Sequence, residues 1–300
     1  MKLSEIINWL KKENYKIRVL GDGETVIDGF ASLENCCENK LTWIKKSENY
    51  LNLSDETKVK IAVVQEGLEL EIPHQIIAEN SKEVFFAVLH HFWGKKMDLG
   101  FIGKGTVIEG NTDIDPSVSI GCNCSIVGEI YIGAGTIIEN NVVISGKVTI
   151  GENCHIQSCT VIGEDGFGYS KDPISGRKTM VEHFGGVRIG DDVFIGSHVN
   201  IARGTIDDTV LENGVKVSPS THIGHNNYVG ENVTVICSNL FGSVKTGSGS
   251  YITASTIQNQ CKVGKNSVIG MGSVVTKEIP DDVIAFGIPA KVVKENNSDL

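Results

Sequence analysis

Isoleucine recurs at every sixth position from Ile102 to Ile162, eleven times without exception. Four residues after most of these stands a small or β-branched side chain, as at Thr106, Val118, Cys124, Thr136, Val148 and Cys154. A helix turning every 3.6 residues cannot keep a period of six on one face, and a single strand cannot alternate for sixty residues. The pattern predicts a solenoid of very short parallel strands joined by tight corners, each turning its large apolar residue inward. The period breaks after Ile162 and resumes at Ile189, Ile195 and Ile201. After a ten-residue step it continues through Leu211, Val217, Ile223, Val229, Val235 and Phe241, and a second slip precedes Val263, Ile269 and Val275. At eighteen residues per three-sided coil, this makes roughly eight coils.

Residues 1–99 lack the period and are expected to form a small α/β domain. A helix capped by Ser4 would bury Ile6, Ile7 and Leu10, and short strands are expected at 17–20, 25–27, 41–44 and 60–64. Asn80 and Glu83 make a capping box for a second helix with Val84, Phe85, Val88, Leu89 and Phe92 inward. The solenoid then covers 100–278. It is interrupted by a loop at 163–186, whose run DGFGYSKDPISGRK is rich in Gly, Ser and Asp and has no inward hydrophobic residue. Loops of that length in compact proteins tend to be functional or disordered. Residues 279–300 leave room for a short cap.

A net charge of −10 and a pI near 5.3 argue against a nucleic acid polymer as partner, while a single nucleotide stays possible. The start MKLSEIINWLKKENY has no signal-peptide pattern, and no apolar stretch approaches eighteen residues, so a soluble cytoplasmic protein without membrane insertion is expected. The eight cysteines read as free thiols, because Cys122-x-Cys124 has no partner pair to complete a metal site. Neither a metal nor a tightly bound cofactor is expected.

The densest polar cluster on the regular coils is Thr221-His222-Ile223-Gly224-His225-Asn226. With Ile223 setting the phase, Thr221 and His225 are expected to point outward and His222 to lie on the other side of the corner. A histidine held on a rigid face suits a general base, since its charge changes near neutral pH. An ordinary solvated histidine fits as well. His183, His198, His222 and His225 do not combine into a zinc site, because the close pair is three residues apart and straddles a corner. No serine or cysteine stands in a nucleophile-elbow sequence.

These hexads resemble the left-handed β-helix (hexapeptide-repeat) acyltransferases. Within them the chain is most similar to the UDP-3-O-(3-hydroxyacyl)glucosamine N-acyltransferases of lipid A biosynthesis. DGFGY at 165–169, GGVRIGDDVFIG, IARGTIDDTV and IGHN at 223–226 follow that family's segments in order. The resemblance implies a left-handed parallel β-helix and a homotrimer. It makes His225 the catalytic histidine and Gly242, in FGSV, the glycine whose N–H holds the thioester oxyanion. Asp165, Phe167, Tyr169, His222 and Asn226 are expected in substrate binding. The family's first domain stacks uracil between aromatic rings; Trp43 falls on one such position, and Tyr50 on the other after a one-residue shift. The left hand is an implication of the resemblance alone, since the crossover rule by itself favours the opposite hand.

Three departures shape the functional expectation. Ser218-Pro219 stands where the family has an orienting Asp, the family's second histidine falls near Gln260 or Cys261, and only ten residues follow Ala290. The ending GMGSVVTKEIPDDVIAFGIPAKVV is instead similar to acetyl-CoA-dependent sugar N-acetyltransferases. The leading expectation is therefore acyl transfer from acetyl-CoA or another short acyl-CoA to the amine of a UDP-linked amino sugar, in surface-polysaccharide or lipopolysaccharide biosynthesis. The alternative is the lipid A reaction, using an acyl carrier protein. A non-catalytic nucleotide-sugar-binding β-helix is a third reading, from another class.

Overall fold

The computed structural model describes residues 1–53, 58–94 and 98–297. The chain divides into two units, Met1–Lys96 and Met97–Leu300.

In the first unit, α1 (Leu3–Lys12) buries Leu3, Ile6, Ile7 and Leu10. It starts earlier than a Ser4 cap would have it: Lys2 is the cap residue, and its N–H donates to Glu5 Oε1 at 2.6 Å. The strands are β1 (Ile17–Leu20), β2 (Gly29–Phe30), β3 (Lys40–Ile44), β4 (Ile61–Gln65) and β5 (His74–Ala78). They are ordered β1-β5-β4-β3-β2, with β1 antiparallel to β5 and the other pairs parallel. Residues 25–27 make only an isolated bridge, Val26 to Lys2, and the short strand begins at Gly29 instead. A short α2 (Ser47–Leu51) follows β3, and α3 (Ser81–Trp93) begins at Asn80, whose side chain accepts from Glu83 N–H at 3.3 Å. Alternation along β3 and β4 splits the core in two. Leu41, Ile61, Val63 and Ile76 face α1 and α3, whereas Ile44, Ala62, Val64 and Ile77 face the other way.

The second unit is a parallel solenoid with three faces. The first face stacks the residue pairs ending at Ile108, Ile126, Ile144, Ile162, Ile201, Ile223, Leu240, Ile257 and Val275. The second face stacks strands ending at Ile114, Ile132, Ile150, Ile189, Leu211, Val229, Thr246 and Val263. The third carries Ile120, Ile138, Ile156, Ile195, Val217, Val235, Ile252 and Ile269. From Ile120 onward the inward aliphatic side chains are almost all inaccessible to water and form one continuous core. Each contributes about 1.5–3 kcal/mol by burial. Asn123, Asn141 and Asn153 hold left-handed φ values of 55–57° at the corners, a conformation in which asparagine is tolerated.

Two expectations about phase are corrected. Ile102 is 56% exposed, and Ile108 and Ile114 are only partly buried, because the first coil lacks a preceding rung. Phe241 points out and is 44% exposed; Leu240 takes the inward place. The corner before Leu240 is one residue shorter than the hexad, with Cys237 at φ 43°, and the same contraction recurs before Ile257, with Ala254 at φ 41°. Two single-residue slips therefore replace the one expected after Phe241. At the C-terminal end Val283–Phe286 extends the third face, and Lys291–Glu295 returns antiparallel to it as a hairpin cap. Residues 298–300 of the expected cap lie outside the described residues.

The slip is testable by stability. Leu240→Ala should cost about 2–5 kcal/mol, as for a buried leucine, and Phe241→Ala less than about 1 kcal/mol. Chemical denaturation midpoints check this, and equal losses would contradict the register.

Candidate functional site

The corner between the first and second faces is where the coils carry their insertions. In successive coils it holds the insertion 163–186, the bulge 203–208, the turn 224–227 and the turn 241–244, stacked along one edge. Within the insertion, Tyr169–Lys171 and Lys178–Met180 form an antiparallel hairpin. Between these segments lies a groove of about 790 Å³, lined by Asp165, Phe167, Met180, Asn200, His222, His225, Phe241, Gly242 and Asn259, among others.

His225 stands at the centre of the groove. Its imidazole meets His183 edge to face, with ring centroids 5.3 Å apart. His183 is 3% exposed; its Nδ1 lies 3.0 Å from the Val181 carbonyl, and its Nε2 has no hydrogen-bond partner among the described residues. Gly166 fills the gap between the two rings, since a Cβ there would lie 2.9 Å from His183 Nε2 and from His225 Cβ. On the other side Gly242 abuts the ring edge: a Cβ at Gly242 would lie 2.6 Å from His225 Nε2. Only glycine allows this approach.

At four corners among the described residues, the N–H two residues after a strand end is capped by a side chain of the next coil. Asn140 caps Cys122, Asp191 caps Glu152, Asn213 caps Asp191 and Asp281 caps Lys265, each at 2.8 Å. Among the described residues the Gly242 N–H has no such acceptor. An uncapped N–H beside an imidazole is a donor available to a ligand.

His222 projects into the same groove, in register between Asn200 and Asn239, so it is not on the far side of the corner from His225. Burial, and then the neighbouring His225, lower its pKa below the usual 6.5, which keeps it neutral. Thr221 is buried and points inward, because it occupies the small inward position of its coil. Asp165 lines the groove and pairs with Arg203, Nε to Oδ1 3.2 Å. Phe167 is 78% exposed on the groove wall. Tyr169 stands outside the lining, 6.1 Å edge-on from Phe167, with Lys178 Nζ 4.4 Å over its ring.

Other expected placements fail as well. Asn226 is not free for substrate: its Oδ1 accepts from Thr205 N–H and Oγ1–H, and its Nδ2 donates to the Asp207 carbonyl. Trp43 and Tyr50 do not face each other. Trp43 packs on the α3 side, 6.3 Å from Phe85 and 6.2 Å from Phe86, while Tyr50 packs with the cluster on the opposite face of the sheet. Ser218 lies at another corner, where its Oγ accepts from Cys237 N–H at 2.8 Å. Of the two residues at the second-histidine position, Cys261 is buried and Gln260 N–H donates to the Gly242 carbonyl; it is Asn259 that reaches the groove. His183 and Arg203 had no assigned place at the site. Their only sequence signal was position, inside the insertion and the IARGTIDDTV bulge. Among the described residues no group of three or more His, Cys, Asp or Glu is arranged to hold a metal ion.

With this geometry in hand, the known proteins most like the chain are informative. The bacterial transferase hexapeptide (six repeats) model matches residues 129–164. A Coxiella burnetii (strain Dugway 5J108-111) protein named UDP-3-O-acylglucosamine N-acyltransferase is 32% identical over 247 residues, covering 75% of this chain and 71% of that one. The chain belongs to the UDP-3-O-acylglucosamine N-acyltransferase family. A Delftia acidovorans member of that family is 36% identical over 126 residues, 41% of this chain and 37% of its own length. That match thus spans little more than a third of the relative. Among solved structures, LpxA from Acinetobacter baumannii aligns with TM-score 0.56 and 26% identity, over 63% of this chain and 72% of that one. A Francisella novicida UDP-N-acetylglucosamine acyltransferase aligns with TM-score 0.58 and 24% identity, over 65% and 71%, and shows the shared fold. That fold is the left-handed parallel β-helix. In this N-acyltransferase family member, the groove is the cleft that brings an imidazole and an uncapped N–H together.

The tight contact at Gly242 predicts that Gly242→Ala will displace the His225 ring without unfolding the coil. The His225 imidazole resonances should shift while the β circular dichroism is retained. Unmoved resonances would contradict the approach of Gly242 to Nε2.

Proposed function

We propose that the protein transfers an acyl group from a thioester to the amine of a UDP-3-O-acylglucosamine. The observation carrying this is the juxtaposition of His225 Nε2 with the uncapped Gly242 N–H. The name of the relatives supplies the acceptor, and it fits the lipid A reading better than the short-acyl reading that led from the sequence.

The sugar amine attacks the thioester carbonyl as His225 Nε2 takes its proton. A C–N bond forms, and the carbonyl π electrons move to the oxygen, held by the Gly242 N–H. Collapse of the tetrahedral intermediate breaks the C–S bond, and the sulfur leaves as a thiol with the proton returned from the imidazolium. Positioned base catalysis is worth about 10²–10⁴-fold, and one oxyanion donor about 10²–10³-fold. His222, kept neutral by burial, adds no competing positive charge at the groove.

For the donor we favour a hydroxyacyl carrier protein, with an acyl-CoA as the alternative. The groove wall supports a long chain: Phe167, Met180, Val181 and Phe241 all line it and are exposed, offering apolar surface to a hydrocarbon. We place the enzyme in a homotrimer, as the sequence resemblance implies, and the reaction in the cytoplasm. No helix among the described residues is long and apolar enough to cross a membrane. With Trp43 and Tyr50 on opposite sheet faces, we assign the uracil no aromatic sandwich.

Thiol release tests this reading, using UDP-3-O-acylglucosamine with hydroxyacyl carrier protein and, in parallel, acetyl-CoA. Turnover is expected with the carrier protein, and His225→Ala should lower kcat by about 10²–10⁴-fold. Turnover only with acetyl-CoA would restore the short-acyl reading, and an undiminished His225→Ala would remove the base.

A further inference from the structure

The bulge 203–208 adds four residues to the corner immediately before the His225 turn, and its bonds converge on one side chain. Thr205 donates its N–H at 3.0 Å and its hydroxyl at 2.7 Å to Asn226 Oδ1. Asn226 Nδ2 donates to the Asp207 carbonyl at 3.0 Å. These contacts fix which end of the amide is oxygen. Flipped, the amide would set its NH2 against the Thr205 N–H and its oxygen against a carbonyl. The oxygen so fixed lies 3.0 Å from His225 Nδ1. An amide oxygen only accepts, so Nδ1 must carry the proton, and in a neutral imidazole Nε2 is then the lone-pair nitrogen. Nε2 is the ring atom nearest the Gly242 side of the groove.

We propose that Asn226, braced by Thr205 and Asp207, is a positioning residue that holds His225 in the Nδ1–H tautomer with Nε2 unprotonated toward the groove. The catalytic consequence rests on His225 being the base; the location of the proton does not. The residue type suits the place, because Asn226 has φ 56°, where asparagine and aspartate are tolerated and alanine is strained. The brace also reaches the insertion. Arg203 Nε donates to the Gly163 carbonyl at 2.6 Å and pairs with Asp165, while Phe184 and Gly185 N–H donate to the Thr205 and Gly204 carbonyls. The groove wall and the tautomer of the base are thus held by one set of bonds.

The test is long-range ¹H–¹⁵N correlation of the histidine rings in full-length protein labelled with ¹⁵N-histidine, His225 being assigned by its absence in His225→Gln. In the wild type His225 should show a protonated Nδ1 and an unprotonated Nε2. Asn226→Ala should lose that preference and lower kcat by about 10²-fold, the lower end of general-base effects, with KM for the amino sugar within about threefold. Asn226→Asp keeps an acceptor oxygen and tolerates the backbone, so it should restore the Nδ1–H form and bring kcat to within about tenfold of wild type. A wild-type ring protonated on Nε2 would overturn the proposal. So would an Asn226→Ala protein with unchanged tautomer and kcat, or an Asn226→Asp protein as slow as Asn226→Ala. Failure of the base assignment looks different: His225→Ala would retain turnover while the wild-type spectrum still showed Nδ1–H.

Discussion

The whole second unit depends on the stacking of one inward aliphatic side chain on the next, coil after coil. Ile126, Ile144, Ile162, Ile201 and Ile223 form such a column on the first face, each with no accessible surface. Parallel backbone bonds between coils hold the column in register, and nothing in this arrangement requires the corners to be equal in length. The corners are therefore free to vary while the core is not. A 24-residue segment between Ile162 and Val187 leaves the column intact, because Val161–Ile162 pairs directly with Asn200–Ile201. This separation of duties lets a monotonous scaffold carry a specific groove.

The chemistry then depends on what each corner lacks. Four corner N–H groups at the second position after a strand are capped by Asn or Asp from the next coil, and the Gly242 N–H is not among them. At the His225 turn the next coil presents Gly242, which has no side chain to offer. That single absence lets the imidazole sit against the backbone of the following coil. At Gly242 itself the N–H is left for a ligand. Burial tunes the neighbouring His222, and the bulge 203–208 braces Asn226.

The solenoid was legible because the isoleucine period is a packing constraint written directly into the chain. The slip at Leu240 was not, since it depends on Cys237 adopting a left-handed corner that shortens the turn by a residue. His225 and Gly242 came from motif resemblance, and the structure brings them together. Asn226 was assigned to substrate because IGHN alone does not reveal Thr205 and Asp207, some twenty residues earlier. Trp43 and Tyr50 failed for a related reason. Strand alternation puts Trp43 with Leu41 on one face, but nothing in the sequence says on which face α2 returns. His183 has no periodic signal, and its burial against His225 depends on the path of the insertion.

The central claim is that one groove, at one edge of the solenoid, brings the amine and the thioester carbonyl to His225 and Gly242. A crystal structure with UDP-3-O-acylglucosamine and a non-hydrolysable thioester analogue tests it most directly. The account predicts the sugar amine within about 3 Å of His225 Nε2 and the analogue's carbonyl oxygen about 3 Å from the Gly242 N–H. Both ligands bound at another face, with the groove between His225 and Phe167 left open, would contradict it.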